Sequence, residues 1–179
     1  MAKIEIIYDD FRSCEIPRGL VITDPPYNQG YPYNNYKDRM SEPDYIDLLS
    51  KIPRPCVIIH YPEETINLLP KAFSIPYIDR SRKIPESFIS KCNQVVSWVY
   101  NSNTGKQHRL ISWWGCKPDF NKIRQPYKNP NDKRIKERVA NGKIGAKLYD
   151  WWEINQVKNV SKEKTEHPCQ IPEKNPAGS

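Results

Sequence analysis

The sequence has little of what staples, anchors or metallates a chain. Its five cysteines, Cys14, Cys56, Cys92, Cys116 and Cys169, are an odd number, and the closest two are 24 positions apart. That spacing excludes a Cys-x-x-Cys knuckle and offers no disulfide framework, so reduced and mostly buried thiols are expected. No His, Cys and acid cluster has ligand spacing, and no metal is expected. Glycine is scarce at 7 residues, and the close pair Gly142 and Gly145 follows no strand, which reads as an ordinary loop. No apolar run approaches the roughly 20 residues of a membrane-spanning helix. The stretch from Met1 to Asp10 carries acids in an alternating pattern unlike a signal peptide, so a cytoplasmic protein without membrane contact is expected.

What remains is a chain of 179 residues, 37% hydrophobic and 11% aromatic, enough for one modest domain with a core. A mean hydropathy of -0.80 and 17 prolines leave little room for long regular elements. The charge is unevenly placed. Between Lys117 and Lys147 lie ten cations and three anions, whereas the other 148 residues carry 18 of each sign, so the whole +7 excess belongs to one segment. Such a footprint suits a polyphosphate backbone, with Lys122, Arg124, Lys128, Lys133, Arg134, Lys136, Arg138 and Lys143 as the candidate phosphate contacts and double-stranded DNA as the candidate partner. A solvated basic helix or loop without a partner is the alternative reading of charge alone.

Local pattern predicts short strands alternating with helices. Lys3 to Tyr8 and Leu20 to Thr23 read as central parallel strands, and Ser41 with Asp44 starts a helix through Leu49 that Pro53 and Pro55 stop. Cys56 to His60 reads as a strand, and Pro62 opens a helix that Pro70 must end or kink. Val95 to Tyr100 and Arg109 to Trp114 form a hairpin around an Asn, Ser and Gly loop, and the basic segment is either a helical insertion or a partly ordered arm. This order fits an open α/β sheet, whose ligands gather at the carboxyl ends of its strands.

At one such end stands Asp24-Pro25-Pro26-Tyr27. Two prolines fix φ, lack donors and keep Asp24 extended, which makes a stiff shelf presenting a carboxylate, an unclaimed carbonyl and an aromatic ring. Asp24 and the Pro25 carbonyl suit the hydrogens of an exocyclic amino group on a base, a poor nucleophile until acceptors hold it, and Tyr27 would stack on that base. Tyr31, Tyr33 and Tyr36 either line the same place or are exposed loop residues. Trp113-Trp114 and Trp151-Trp152 flank the basic segment, where either core packing or contact with an opened duplex could use them. His60 reads as a strand-end histidine rather than a base.

With its strand, Asp24-Pro25-Pro26-Tyr27 and a downstream basic segment in that order, the chain resembles the amino-methylating DNA methyltransferases, most closely the adenine-N6 enzymes with the β-type motif order. The resemblance implies a partial Rossmann-like methyltransferase sheet with a basic target-recognition insertion, S-adenosylmethionine as methyl donor, and eversion of the target adenine from the duplex. Cytosine-N4 methylation uses the same chemistry. The resemblance makes Asp24, Pro25, Pro26 and Tyr27 catalytic and likens Asp10, with Asp9 as the fallback, to the acid near the cofactor's adenosine. His167-Pro168-Cys169-Gln170-Ile171-Pro172 is similar to the family's cofactor-side His-Pro-x-Gln-Lys-Pro segment, with Ile171 in place of Lys. Pro176-Ala177-Gly178-Ser179 resembles a shortened glycine-rich cofactor loop, with Gly178 and Ser179 as its contacts. The implied organisation is a catalytic α/β region over 1–116, a DNA-recognition segment over 117–149 and a truncated cofactor-side return over 150–179. A noncatalytic DNA-binding remnant, or a subunit completed by another chain or a second copy, is the rival reading.

Overall fold

The computed structural model describes residues 4–157 except 17, 34–35, 75–90 and 103, together with residues 162 and 165. In chain order the elements are β1 (Val21–Thr23), β2 (Pro32–Tyr33), β3 (Tyr36–Lys37), α1 (Glu42–Ser50), β4 (Cys56–His60), α2 (Pro62–Asn67), α3 (Leu69–Ser74), β5 (Cys92–Val99), β6 (His108–Trp114), β7 (Arg124–Gln125), α4 (Lys133–Ala140), β8 (Ala146–Lys147) and β9 (Trp151–Glu153).

Five strands make the central sheet in the order β1-β4-β6-β5-β9. The pairs β1 with β4 and β5 with β9 are parallel, and β6 runs antiparallel to both β4 and β5. This is a mixed α/β sheet of partial Rossmann-like form, as the alternating pattern predicts. Cys56 to His60 is buried at every position because neighbours cover both its edges and both its faces, which is why it reads as a continuous apolar run. Cys56, Ile58 and Trp114 pack on Tyr45, Leu48 and Leu49 of α1 and on Leu69, Ala72 and Phe73 of α3. Val57, Val96 and Trp113 meet Phe120 and Trp152 in a second cluster.

The helices follow their start signals. Ser41 accepts the Asp44 amide at 3.3 Å, and Glu42 and Asp44 add favourable charge to the first turn of α1. Tyr45, Leu48, Leu49 and Ile52 then recur at helical spacing and are all buried, each large side chain contributing about 1.5–3 kcal/mol. Pro70 splits the next helix: α2 stops at Asn67 and α3 restarts at Leu69, with the proline in its first turn where no donor is missed.

Two expectations are overturned. Residues 4–8 form no strand, and Ile4, Ile6 and Tyr8 are 86%, 90% and 100% exposed. Alternation shows which side chains share a face but cannot supply the neighbouring backbone that makes a ladder. Val21 to Thr23 is a strand parallel to β4, but among the described residues it lies at the sheet's edge rather than its centre. The basic segment is an ordered insertion: β7 and β8 pair as a ribbon that closes a loop holding α4. Gly145 fits here by lacking a side chain, since a Cβ would lie 2.6 Å from the Gln125 carbonyl oxygen. Among the described residues no helix is long and apolar enough to cross a membrane.

Candidate active site at the carboxyl ends of the parallel strands

Asp24-Pro25-Pro26-Tyr27 leaves β1 beside His60, the last residue of the adjacent parallel strand. The Tyr27 hydroxyl donates to Asp24 Oδ1, and the ring stacks on His60 at 4.6 Å with Tyr61 edge-on at 4.8 Å. Burial, and then the Asp24 charge, pushes the Tyr27 phenol well above its ordinary value and keeps it a donor. In the predicted shelf the tyrosine is turned inward onto the carboxylate and the histidine.

A buried relay supports the shelf from behind. Tyr45 donates from its hydroxyl to the Pro26 carbonyl at 2.5 Å and meets His60 Nε2 at 2.7 Å. The Tyr61 amide can only donate, so His60 Nδ1 accepts it at 2.8 Å. That leaves the proton on Nε2, which donates to Tyr45. Burial, reinforced by Arg109 and Lys106, pulls His60 down to about 3, so the ring is neutral and serves as a positioning group. The Glu64 carboxylate lies 3.8 Å from Nδ1 and accepts the Gln29 side-chain amide at 2.6 Å.

The loop after Tyr27 is pinned by one buried acid. Asp38, 2% exposed, accepts the amides of Asn28 at 2.8 Å and of Gln29 and Tyr31 at 3.1 Å. Asn28 adopts a left-handed φ of 57° while its side chain accepts the Met40 amide and donates to the Met40 carbonyl. This geometry sets Tyr31, Tyr33 and Tyr36 in a row at ring separations of 5.1 and 6.2 Å, along an open groove of about 680 Å³.

Arg109 was not singled out by its sequence beyond opening a strand, although a charge directly before Leu-Ile-Ser-Trp-Trp is a usable signal. Its side chain is 10% exposed and reaches within 3.9 Å of Asp24 Oδ2, with the guanidinium over the Tyr27 ring at 4.9 Å. Trp98, whose indole donates to the Ile154 carbonyl at 2.7 Å, helps to wall it in.

The other predicted residues lie apart from one another. Asp10 is exposed and paired with Arg12, which draws its carboxyl down to about 2, and Asp9 accepts the Asp10 amide in the same turn. His167, Pro168, Gln170, Gly178 and Ser179 lie outside the described residues. Of the residues likened to the cofactor side, only Asp9 and Asp10 are among the described ones, so no step is routed through S-adenosylmethionine. Among them no group of three acids, histidines or cysteines could hold a metal.

Of the basic residues, Arg124 sits half-buried in β7, while Lys122, Lys128 and Lys143 are exposed on the insertion. Lys133, Arg134, Lys136 and Arg138 stand on α4, which has no buried residue and begins at an Asp132 cap. Trp113 and Trp114 are core residues and Trp152 packs on Trp113, whereas Trp151 is 39% exposed with the Lys128 ammonium over its ring at 4.4 Å.

The mixed α/β sheet with an acid-led Pro-Pro-Tyr shelf at a strand end is consistent with a partial Rossmann-like methyltransferase fold. In agreement with it, the chain is similar to the type II methyltransferase M.HpaI of Haemophilus parainfluenzae, 28% identical over 165 residues that cover 86% of this chain and 50% of that protein. The chain thus spans about half the length of the curated relative it matches. No protein-family model matches the sequence.

Proposed function

We propose that the chain forms the base-holding and DNA-contacting part of a methyltransferase that modifies the exocyclic amino group of an everted base, with adenine N6 in double-stranded DNA as the target. The observation that carries this reading is the Asp24 shelf itself: a carboxylate 17% exposed, steadied by the Tyr27 hydroxyl, on a backbone that Tyr45 and His60 hold from below. Acceptors fixed before the base arrives favour the nitrogen as it becomes tetrahedral and positive, and so lower the barrier rather than merely tighten binding. The Tyr27 hydroxyl gives way to the incoming amino group, and its ring becomes a wall for the base. Cations of the insertion neutralise phosphates and help offset the few kilocalories per mole of base eversion. S-adenosylmethionine is the methyl donor implied by the family resemblance and by the likeness to M.HpaI.

Purified chain incubated with unmethylated duplex DNA and labelled S-adenosylmethionine is expected to yield N6-methyladenine. Asp24→Ala should reduce transfer by at least about a hundredfold while leaving duplex affinity within about threefold. N4-methylcytosine as product reassigns the base, and equal loss of DNA binding in Asp24→Ala makes the residue structural.

Among the described residues β1 lies at the edge of the sheet, which favours a second reading. Leu20 and Ile22 there are 52% and 69% exposed. On this reading the chain holds base and DNA, while a complementing chain or a second copy completes the sheet and supplies the cofactor cradle. Transfer that appears only on mixing with the complementing half, or only at concentrations where sedimentation shows dimer, supports it.

A further inference from the structure

Arg109 is a cation in a place that normally excludes one. Its guanidinium carbon lies 4.9 Å from the centre of the Tyr27 ring, 5.4 Å from Trp98, 5.6 Å from Tyr61 and 5.8 Å from Tyr100. Ring faces offset part of the lost hydration. They do not satisfy directed donors, and Nε is buried with no hydrogen-bond partner among the described residues. The Asp24 carboxylate is 3.9 Å from Nη1, close enough to balance charge but beyond hydrogen-bond length. An unmet donor on a buried charge is costly, so a native site that keeps one calls for a group arriving from outside.

The neighbouring acid says what that group is. Asp24 Oδ1 already accepts the Tyr27 hydroxyl, and Oδ2 is the oxygen that faces Arg109. An acceptor and a donor side by side complement an amino group next to an unprotonated ring nitrogen: N6 with N1 or N7 in adenine, N4 with N3 in cytosine. Guanine and thymine carry a carbonyl at the corresponding position, which would set oxygen against the carboxylate. The geometry points to Arg109 as a specificity residue that donates to the ring nitrogen beside the amino group held by Asp24, so that the pair selects an amino group flanked by an acceptor nitrogen. This inference rests on the base-holding reading above and adds to it the atom that is read.

The test is calorimetric or ligand-observed NMR titration of the full chain with adenosine, inosine, 1-deazaadenosine and 7-deazaadenosine. Adenosine should bind about tenfold or more tightly than inosine, and one of the two deaza analogues should lose about tenfold. In Arg109→Met the deaza penalty should disappear, and Arg109→Lys should retain part of it. Equal affinity of the wild type for adenosine and both deaza analogues overturns the inference, and that comparison stands even if Arg109→Met fails to fold. A deaza penalty that survives in folded Arg109→Met assigns the contact to another residue and overturns the inference while leaving the base site intact. Absence of nucleoside binding, or adenosine affinity unchanged by Asp24→Ala, overturns the base-holding reading and the role of Arg109 with it.

Discussion

Acidification should loosen this fold well before its carboxylates protonate, because one buried ring is held neutral. His60 is fully buried, with Tyr45 and Tyr27 against it, Glu64 at 3.8 Å, and Arg109 and Lys106 opposing a positive charge, and its value falls from 6.5 to about 3. Between those values the unfolded chain binds a proton that the folded chain refuses, so stability falls as pH falls below about 6.5 and the loss saturates near pH 3. The slope approaches about 1.4 kcal/mol per pH unit, which amounts to about 2 kcal/mol lost by pH 5 and on the order of 4–5 kcal/mol by pH 3. Urea unfolding followed by tryptophan fluorescence at intervals from pH 7.5 to 5 measures it. The control is His60→Gln, whose side-chain amide can still donate to Tyr45 but does not titrate. Its stability should be lower at neutral pH and should vary less with pH across that window. A pH dependence identical in wild type and His60→Gln would refute the argument, since the titrating group would then lie elsewhere.

Two further outcomes follow from the same geometry. Tyr45→Phe removes the hydroxyl that joins the Pro26 carbonyl to His60, leaving two buried polar groups unpaired. It should cost about 2–4 kcal/mol in urea unfolding with little change in the denaturant slope. Replacing Lys133, Arg134 and Lys136 together with Gln acts on a helix with no buried side chain, so the fold should hold. The salt dependence of duplex binding should flatten by up to about 2.7 log units per log salt if all three touch phosphate, and an unchanged slope by fluorescence anisotropy removes α4 from the interface.

Much of the framework was legible in the chain. The Ser41 start of α1, the Pro62 start of α2, the buried run Cys56 to His60 and the hairpin before Trp113 all follow from local signals, because capping, fixed proline φ and side-chain periodicity act over a few residues. The Asp24 shelf was legible for the same reason. The apolar alternation before Tyr8 misled, because a strand also needs a neighbour, and nothing local encodes one.

The sequence by itself determined the shelf, its stiffness and the confinement of excess charge to one segment. Only the tertiary structure decided that Tyr27 turns inward, that Tyr45 and His60 hold the carbonyl behind it, and that Arg109 faces Asp24 across 3.9 Å. The contacts of Tyr45 with Pro26 and His60 and of Arg109 with Asp24 join residues 15 to 85 positions apart in sequence. Hydrogen bonds and charge pairs of that kind depend on where the sheet brings strand ends together, which no local pattern of residues can specify.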